Sequence, residues 1–587
     1  MKQFFLTLAG VFAGMMLFFV GLPVLLIVSA IGSAQPSVPG RAVLELDLRQ
    51  GLTDQTPANP FAALGGAVSV MDVVEALDRA EEDSQIKGLF VRLPEGGMTP
   101  AAADELRHAF RRFRAAGKPI VAHSQGVMAS GAAVSTYMLG ASSGDLWMQS
   151  NATLEAVGLA TEEIFLGRAF DRYGVNAQFE QREEFKNAVN AFTQSDYTPA
   201  HREATLSWMN AIYEAAVGKA AQERRRTPDQ LRATLEQGPY PAERARQLGL
   251  IDHVGEMEQA RDAILERAGR GSRLVDFGEY VRAHVPGGGG SIALVEGEGS
   301  IMTGYGTIDL FGSGDGIYSD DVAEQLYRAA EDDDVKAVVF RVSSPGGSPV
   351  ASEQILAAVR AVRAAGKPVV VSMGAYGASG GYWIASEADE IVAQPTTLTG
   401  SIGVYSGKMA LGDALARFGV DVRGLAVGGA YADAYDAGEG FDAQDRAVLA
   451  QQVDQVYADF ITRVARGRDL PPERVREIAR GRVWTGAQAR ELGLVDHLGG
   501  YHEAVARAAA LANLGDAADV RVKRYERDLG PFGGLFQALG GASTSLRGLM
   551  ALGAVLSDPE ARAALAQIRD AQTSQGRAMV LAGRGVG

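Results

Sequence analysis

An internal repeat constrains the fold of this chain more than any other feature of its sequence. The segment "IKGLFVRLPEGG" (86–97) matches "VKAVVFRVSSPGG" (335–347), and "FRAAGKPIVA" (113–122) matches "VRAAGKPVVV" (362–371). Each second segment begins 249 residues after the first, in one ungapped register. Self-similarity of this kind in a chain of 587 residues predicts two homologous domains.

Each copy carries the pattern of an α/β fold. In the second copy, a β-branched run (336–342) of the kind found in buried parallel strands precedes a segment with apolar residues at helical spacing (352–367). The next strand (367–374) follows directly. A strand–helix–strand order implies a right-handed crossover and a parallel sheet with helices packed on it. We therefore expect two tandem α/β domains built from repeated βαβ units.

The N-terminal segment predicts a membrane anchor. Between Lys2 and Arg41 no residue is charged, and the apolar run 4–32 exceeds the roughly 20 residues that span a bilayer. A cleavable signal peptide is the alternative, because "IGSA" follows the apolar run, but its apolar core is usually only about 7–15 residues long. Lys2 favours a cytoplasmic N-terminus, although Arg41 and Arg49 weaken that preference. We expect a retained, single-pass transmembrane helix.

A glycine run in "HVPGGGG" (284–290) is typical of a linker between the two copies. The predicted organisation is an anchor (1–38), a first domain (39–286), a second domain (291–525) and a C-terminal tail (526–587). The tail begins with an apolar, glycine-rich stretch. We expect it to contact the membrane or a neighbouring subunit, or to be loosely ordered.

Composition excludes several classes of function. The formal net charge of −15 and the pI near 5.1 argue against nucleic acid as a partner, because phosphate binding needs a basic face. The chain has no cysteine, which rules out disulfides, thiolate nucleophiles and cysteine-ligated metal sites. Its seven histidines show no HExxH or other paired-ligand spacing. The sequence thus gives no indication of a metal or a cofactor.

Ser379 is the candidate nucleophile, since it lies among small residues in "GAYGASGGYW" (374–383). The stretch fits the G-x-S-x-G pattern of α/β-hydrolases, which also need an acid and then a histidine downstream. His497 and His502 are the only downstream histidines, and His497 has a counterpart, His253, in the first copy. We therefore favour a lysine base, the alternative that other serine enzymes use.

Elimination among the nine lysines leaves three candidates for that base. Four lysines are paired turn residues of the repeat and two lie near the chain ends, which leaves Lys186, Lys219 and Lys408. Lys219 falls on the polar face of a long predicted helix, where a solvated charge is the usual role. Lys186 has apolar neighbours in "EEFKNAVNAF" (183–192), which would lower its pKa and supply a neutral amine. A bland surface lysine is the alternative for this position.

Three motifs in order resemble those of the signal peptide peptidase A, or protease IV, family of Ser–Lys peptidases. They are "RVSSPGGS" (341–348), "GAYGASGGYWIAS" (374–386) and "TGSIGV" (399–404). The anchor and the tandem repeat match the long form of that family, over nearly the whole chain. The resemblance implies a ClpP/crotonase-like fold for each copy. It also implies that Ser379 of the second copy is the nucleophile and that Lys186, in "FKNAV", is its base from the first.

The implied reaction needs two main-chain N–H donors for the oxyanion. Gly380 follows the nucleophile directly and is expected to supply one donor. The "PGG" turn is expected to supply the other, through Gly347 or Gly346. Ser401 is a candidate hydrogen-bond partner that orients the lysine.

The first copy lacks parts of this site. Ser130 aligns with Ser379, but its surroundings are "MASGA" rather than "GASGG". In the second copy Tyr431 takes the position of Lys186, so that copy cannot supply its own base. We therefore expect Ser130 to be a non-catalytic relic and the active site to need both copies.

These observations predict a membrane-anchored serine endopeptidase. The resemblance implies that it assembles as a homotetramer and degrades remnant signal peptides, released from preproteins, and other peptides. Its catalytic domains are expected on the periplasmic side of a bacterial cytoplasmic (inner) membrane. Two alternatives stay open: a non-peptidase crotonase-like protein that binds acyl-thioesters, and a catalytically inert membrane scaffold.

Overall fold

The computed structural model of the chain describes residues 39–55, 68–283, 291–306, 316–515 and 520–525, and the isolated positions 14 and 18. Apart from those two positions, the predicted anchor lies outside the described residues, as do the linker glycines and the C-terminal tail. Within the described ranges, no helix combines the length and the hydropathy that a membrane span requires.

The first copy alternates strands and helices. Its described elements are β1 (Ala42–Asp47), α1 (Val70–Glu82), β2 (Ile86–Arg92), α2 (Pro100–Ala115), β3 (Ile120–Ser124), α3 (Ala133–Ser142), β4 (Leu146–Met148), β5 (Thr153–Leu154), α4 (Gly167–Tyr173), β6 (Asn176–Gln181), α5 (Asn190–Thr193), α6 (Pro199–Glu223), α7 (Pro228–Leu235), β7 (Tyr240–Pro241), α8 (Ala242–Gln247), β8 (His253–Val254), α9 (Met257–Ala268), β9 (Arg273–Asp276) and α10 (Phe277–Ala283).

The second copy also alternates strands and helices, with two additional short strands before its first helix. Its described elements are β10 (Ile292–Glu298), β11 (Ser300–Met302), β12 (Gly316–Tyr318), α11 (Ser319–Glu331), β13 (Ala337–Ser344), α12 (Pro349–Ala364), β14 (Val369–Ala378), α13 (Gly380–Ala385), β15 (Glu390–Ala393), β16 (Leu398–Gly400), β17 (Tyr405–Ala410), α14 (Gly412–Ala416), α15 (Ala443–Gly467), α16 (Pro472–Ala479), β18 (Val483–Thr485), α17 (Gly486–Glu491), β19 (His497–Leu498), α18 (Tyr501–Leu511) and β20 (Val522–Arg524).

The repeat seen in the sequence is a repeat of whole elements. Helices α1 and α11 both have 13 residues, and α2 and α12 both have 16. In both pairs the second helix begins 249 residues after the first. Helices α2 and α12 each have proline near the first position, where the ring's fixed φ suits a helix and the missing N–H is not needed.

Each copy builds its own main sheet, which confirms the predicted α/β architecture. The first sheet has the order β8-β4-β3-β2-β1-β9, with all neighbours parallel. The second has the order β18-β16-β14-β13-β10-β20, with β15 and β19 branching from β14. Strand β13 is buried at all eight positions. Helices therefore cover both of its faces, as expected for a parallel sheet.

The two copies pack into one another rather than lying side by side as separate units. A single buried apolar cluster runs from the first copy into β10, β13, β14 and α18 of the second. Strand β6 of the first copy pairs antiparallel with β17 of the second, with Gln181 opposite Tyr405 and Asn176 opposite Ala410. This shared two-stranded ribbon brings the segment that follows β6 in the first copy close to Ser379 of the second.

A buried ion cluster also joins the copies. Arg341 on β13 is fully buried, and its guanidinium donates to Asp54 at 2.9 and 2.5 Å and to Glu105 at 2.9 Å, both from the first copy. Glu105 also accepts the N–H of Tyr501 at 2.6 Å, and Arg341 donates to Ser372 Oγ at 2.9 Å. Removing one member of such a buried cluster leaves an uncompensated charge, which typically destabilises a protein by about 3–5 kcal/mol.

Candidate active site

Lys186 stands in a turn that directly follows β6 and is held by the second copy. The N–H of Arg182 donates to the carbonyl of Val404 at 2.9 Å, which extends the shared ribbon. The N–H of Phe185 donates to the carbonyl of Arg480 at 3.2 Å. Main-chain hydrogen bonds on both sides therefore fix the lysine of one copy against the other.

Gly481 permits the main chain of the second copy to approach that of the first closely at this point. Its φ is +73°, and a Cβ added to it would lie 2.6 Å from the Lys186 nitrogen and 2.7 Å from the Lys186 Cβ. Its N–H donates to the carbonyl of Ile402 at 2.9 Å. Only glycine tolerates both this φ and this contact.

Ser379 occupies the sharp turn between β14 and α13. Its φ of 55° and ψ of −119° are rare for a residue with a side chain, and strain of this kind clusters at functional sites. Its N–H donates to the carbonyl of Gly400 at 2.8 Å, and its carbonyl accepts the N–H of Trp383 at 2.9 Å. The turn places Ser379 directly after the end of the strand, where the residue is half-buried.

The amine of Lys186 meets the hydroxyl of Ser379. Nζ lies 3.0 Å from Ser379 Oγ, 2.9 Å from Ser401 Oγ and 2.9 Å from the Ser401 carbonyl oxygen. The lysine is only 4% exposed, and burial lowers its pKa to about 7. Glu184, a neighbour in sequence, pairs with Arg480 instead of the amine. The surroundings therefore favour the neutral, proton-accepting form of Lys186.

Ser401 holds the lysine with both its side chain and its main chain. Its φ is +50°, and its N–H donates to the carbonyl of Arg482 at 2.7 Å. That conformation directs the carbonyl and the hydroxyl of one residue at one amine. The structure thus brings together Ser379, Lys186 and Ser401, which come from two copies of the repeat.

The glycine turn before α12 lies directly against the serine. A Cβ on Gly346 would stand 2.7 Å from Ser379 Cβ and 2.7 Å from the Gly380 nitrogen, so no larger residue fits. The N–H of Gly346 donates to Ser344 Oγ at 3.1 Å. In the part of the chain that the structure describes, the N–H groups of Gly347 and Gly380 have no hydrogen-bond partner. Two unused donors therefore flank the serine.

Ser130 of the first copy has no such surroundings. It is exposed, and no described side chain hydrogen-bonds to its hydroxyl. Its carbonyl accepts the N–H of Gly97, the counterpart of Gly346, at 3.1 Å. A Cβ on Gly97 would lie 2.4 Å from the nitrogen of Ala132, so the glycine turn packs directly against the residues that follow Ser130.

The other two candidate lysines lie elsewhere, and one interpretation is wrong. Lys219 is not solvated: its side chain is 17% exposed and pairs with the fully buried carboxylate of Asp104. The helical pattern marked its position as polar but could not reveal that α2 supplies a buried anion there. Lys408 donates to the carbonyl of Asp436 at 2.9 Å and lies 4.6 Å from the ring centre of Phe441.

Sequence reasoning missed Gly481 and the Arg341 cluster. Gly481 belongs to no motif that the sequence analysis used, and its role depends on a contact with a residue almost three hundred positions earlier. The repeat does mark an arginine at this position in both copies, Arg341 and Arg92. It does not reveal that Asp54 and Glu105 close around only one of them. No described group of three or more histidine, aspartate or glutamate side chains is arranged to hold a metal ion.

A serine at a strand-to-helix turn, a buried lysine on its hydroxyl and two unused N–H groups beside it define a serine hydrolase. The model of peptidase family S49 matches residues 112–269 and 361–515, once in each copy. The chain is 33% identical to Protease 4 of Salmonella typhi over 506 residues, which cover 81% of this chain and 79% of that protein.

Two further relatives agree. Protease 4 of Haemophilus influenzae is 30% identical over 470 residues, covering 76% of this chain and 73% of that protein. The chloroplastic serine protease SPPA of Arabidopsis thaliana is 27% identical over 483 residues, covering 81% of this chain and 69% of that protein. The chain belongs to peptidase family S49 and is a serine peptidase, which confirms the family resemblance found in the sequence.

Proposed function

We propose that this serine peptidase uses Ser379 as its nucleophile and Lys186 as its general base. The proposal rests on the 3.0 Å contact between Lys186 Nζ and Ser379 Oγ, where burial keeps the amine largely neutral above pH 7. A neutral amine has two hydrogens and one lone pair. The Ser401 carbonyl can only accept and takes one hydrogen, and the Ser401 hydroxyl takes the other. The lone pair then faces the Ser379 hydroxyl.

The reaction follows from this arrangement. Lys186 accepts the hydroxyl proton while Ser379 Oγ bonds to the substrate carbonyl carbon, and a tetrahedral oxyanion forms. The lysine ammonium then gives its proton to the leaving amine as the peptide C–N bond breaks. Water, deprotonated by the same amine, attacks the acyl-enzyme, and the proton held by Lys186 returns to Ser379 Oγ as the acid leaves.

The N–H groups of Gly380 and Gly347 are the proposed donors to the oxyanion. Gly346 is the poorer candidate, because its N–H already donates to Ser344 Oγ. In enzymes where one such donor has been removed, the activation free energy rose by about 2.7–4 kcal/mol. Ser401 acts as a positioning residue, since it contacts the lysine and not the reacting bond.

The proposed substrates are remnant signal peptides and other apolar peptides. The family resemblance and the apolar N-terminal run support this choice, because a protein anchored in a bilayer meets peptides that remain there. The proposed location is the bacterial cytoplasmic membrane, with one span and with both catalytic domains on the periplasmic side. The excess of negative charge fits peptide rather than nucleic acid partners.

The proposed assembly is a homotetramer of chains with two ClpP/crotonase-like domains each. The repeated parallel βαβ units support the domain type. Large apolar side chains at Phe418, Leu425 and Val427 are 81%, 101% and 99% exposed. An apolar surface of this kind is typical of a contact between subunits or with a membrane.

Two variants test the function. Ser379→Ala and Lys186→Ala should each abolish cleavage of an apolar peptide while the chain stays folded by circular dichroism, and the two losses should not add. Labelling by a fluorophosphonate that depends on Ser379 would exclude the acyl-thioester-binding and inert-scaffold alternatives, against which membership of a peptidase family already argues. Substantial activity in Lys186→Ala would contradict the assignment of the base.

A further inference from the structure

A cavity of about 200 Å³ lies between the two copies, away from the Lys186 amine. The first copy contributes the start of α2, the turn at Gly131 and Ala132, and the side chains of Trp208 and Ile212. The second contributes residues of β14 and β16, including Tyr376 and Leu398. Its walls are mostly apolar, and no charged residue lines it. We call it the inter-copy cavity.

The repeat relates this cavity to the catalytic site. Its walls at 99–101 and 131–132 stand in the positions that 348–350 and 380–381 occupy in the second copy, 249 residues later. In the second copy those segments flank Ser379 and the unused N–H groups, where a peptide must lie to be cleaved. The inter-copy cavity is therefore the counterpart of a peptide-binding surface, next to a serine that has no lysine.

Polar groups in the cavity suit a peptide main chain. The N–H of Ala101 belongs to the first turn of α2, which has no earlier helical carbonyl to accept it. Thr99 does not cap that turn with its side chain. Thr396 lines the cavity from the other side, is 3% exposed, and has an Oγ1 without a hydrogen-bond partner among the described residues. A peptide carbonyl would satisfy either donor.

Strand β14 connects the cavity to the nucleophile. Ala375 and Tyr376 line the cavity and precede Ser379 by four and three residues. At about 3.3 Å per residue, the cavity lies roughly 10–13 Å from the serine along this strand. A bound peptide with about six residues on either side of its scissile bond is long enough to reach it in either direction.

We propose that the inter-copy cavity binds an aliphatic side chain of the peptide substrate at a distance from the bond that is cleaved. The first copy then contributes a lysine to catalysis and, through the cavity next to Ser130, a second binding site for the peptide. Apolar walls without charge select apolar segments over charged ones. This inference rests on the proposed peptidase function and adds to it a preference for longer, apolar peptides.

The test compares long and short substrates in the full-length chain in detergent. The long probe is an alternating Ala-Leu peptide of about twelve residues with a fluorophore–quencher pair, and the short probe is a dipeptide with a fluorescent amide leaving group. Ala160→Trp, which fills the cavity from its exposed rim, should lower kcat/KM for the long probe about tenfold through KM, since burial of an aliphatic side chain is lost. It should leave kcat/KM for the short probe unchanged.

Two further variants make the result specific. Ala115→Trp puts the same side chain on the exposed far end of α2 and should behave like the parent with both probes. Thr396→Val keeps the volume and removes only the unpaired hydroxyl, so it should fold normally. In the Ser379→Ala background it should weaken binding of an unquenched, singly labelled form of the long probe about threefold or more by fluorescence anisotropy.

The outcomes separate this inference from the proposed function. If the parent cleaves both probes, Ala160→Trp cleaves the long probe as well as the parent does, and Thr396→Val does not weaken its binding, the inter-copy cavity does not bind substrate. Equal loss with both probes in Ala160→Trp would also overturn the proposal, because the change would then act on the catalytic site. If the parent cleaves neither probe, the peptidase function itself fails.

Discussion

Gly481→Ala isolates the positioning of Lys186, the proposed general base. The added Cβ would stand 2.6 Å from the Lys186 nitrogen, and ordinary contacts begin at 3.4 Å, so the lysine turn must retreat by about 0.8 Å. The nearest atoms are the nitrogen, Cβ and Cα of Lys186, which are main-chain atoms or bonded directly to one, so none of them can rotate away. The retreat acts directly on the 3.0 Å contact between Lys186 Nζ and Ser379 Oγ.

The expected effect falls on the chemical step. A misplacement of about 1 Å in a catalytic group can lower a rate by about 10²-fold, so we expect kcat to fall by roughly 30- to 100-fold, or about 2–3 kcal/mol. KM should change little, because the lysine does not hold the substrate. The assay is the steady-state cleavage of a fluorogenic peptide amide near pH 9, where the amine is neutral.

Gly493→Ala is the matched control for this variant. Gly493 has a φ of +77°, so alanine suffers the same left-handed strain, but a Cβ there meets nothing closer than 3.7 Å. That strain is of the order of 1–2 kcal/mol in both variants. A Gly481→Ala enzyme with the parent kcat, or an equal loss in Gly493→Ala, would refute the role assigned to the close contact.

Three further perturbations probe other parts of the account. Ser130→Ala should leave kcat/KM within a few-fold of the parent, and a large loss with unchanged circular dichroism would reveal a second active site. Arg341→Met should lower the free energy of unfolding by about 3–5 kcal/mol because two buried carboxylates lose their partner. Its counterpart Arg92→Met, at a partly exposed pair, should lower it by no more than about 1 kcal/mol in denaturant titrations. Between about pH 7 and 10.5, unfolded Lys186 binds a proton that the folded chain does not, so parent stability should rise by up to about 1.4 kcal/mol per pH unit. Lys186→Met should lack this dependence of stability on pH. If the denaturation midpoints of the parent and of Lys186→Met changed equally with pH, the depressed pKa of Lys186 would be contradicted.

Local pattern and repetition were enough to predict the α/β architecture. The β-branched run of β13 and the helical spacing of α12 are clear sequence signals, because both faces of the strand and one face of the helix are buried. The equal lengths of α2 and α12 show that the repeat preserved these elements whole. Such features depend on neighbours in sequence, which a single chain reveals.

Features that depend on distant contacts could not be read in this way. Elimination and resemblance indicated Lys186, but they left Gly346 and Gly347 equivalent as donors. The side chain of Ser344 separates the two, because it occupies the N–H of Gly346 alone. Lys219 was misinterpreted for the same reason: its burial depends on Asp104, more than a hundred residues earlier. Tertiary contacts of this range leave no periodic signal in the sequence.

The central claim is that the neutral amine of Lys186 takes the proton of Ser379, and its most direct test changes the basicity of that one amine. The chain has no cysteine, so Lys186→Cys can be alkylated with bromoethylamine at a single thiol, which restores an amine less basic than that of lysine. For the parent, kcat/KM should rise through a pKa of about 7 and then level off. The alkylated enzyme should regain activity with this rise shifted to lower pH. A parent profile that is flat from about pH 6 to 10, or an alkylated enzyme that is active with an unshifted rise, would contradict the lysine-base mechanism.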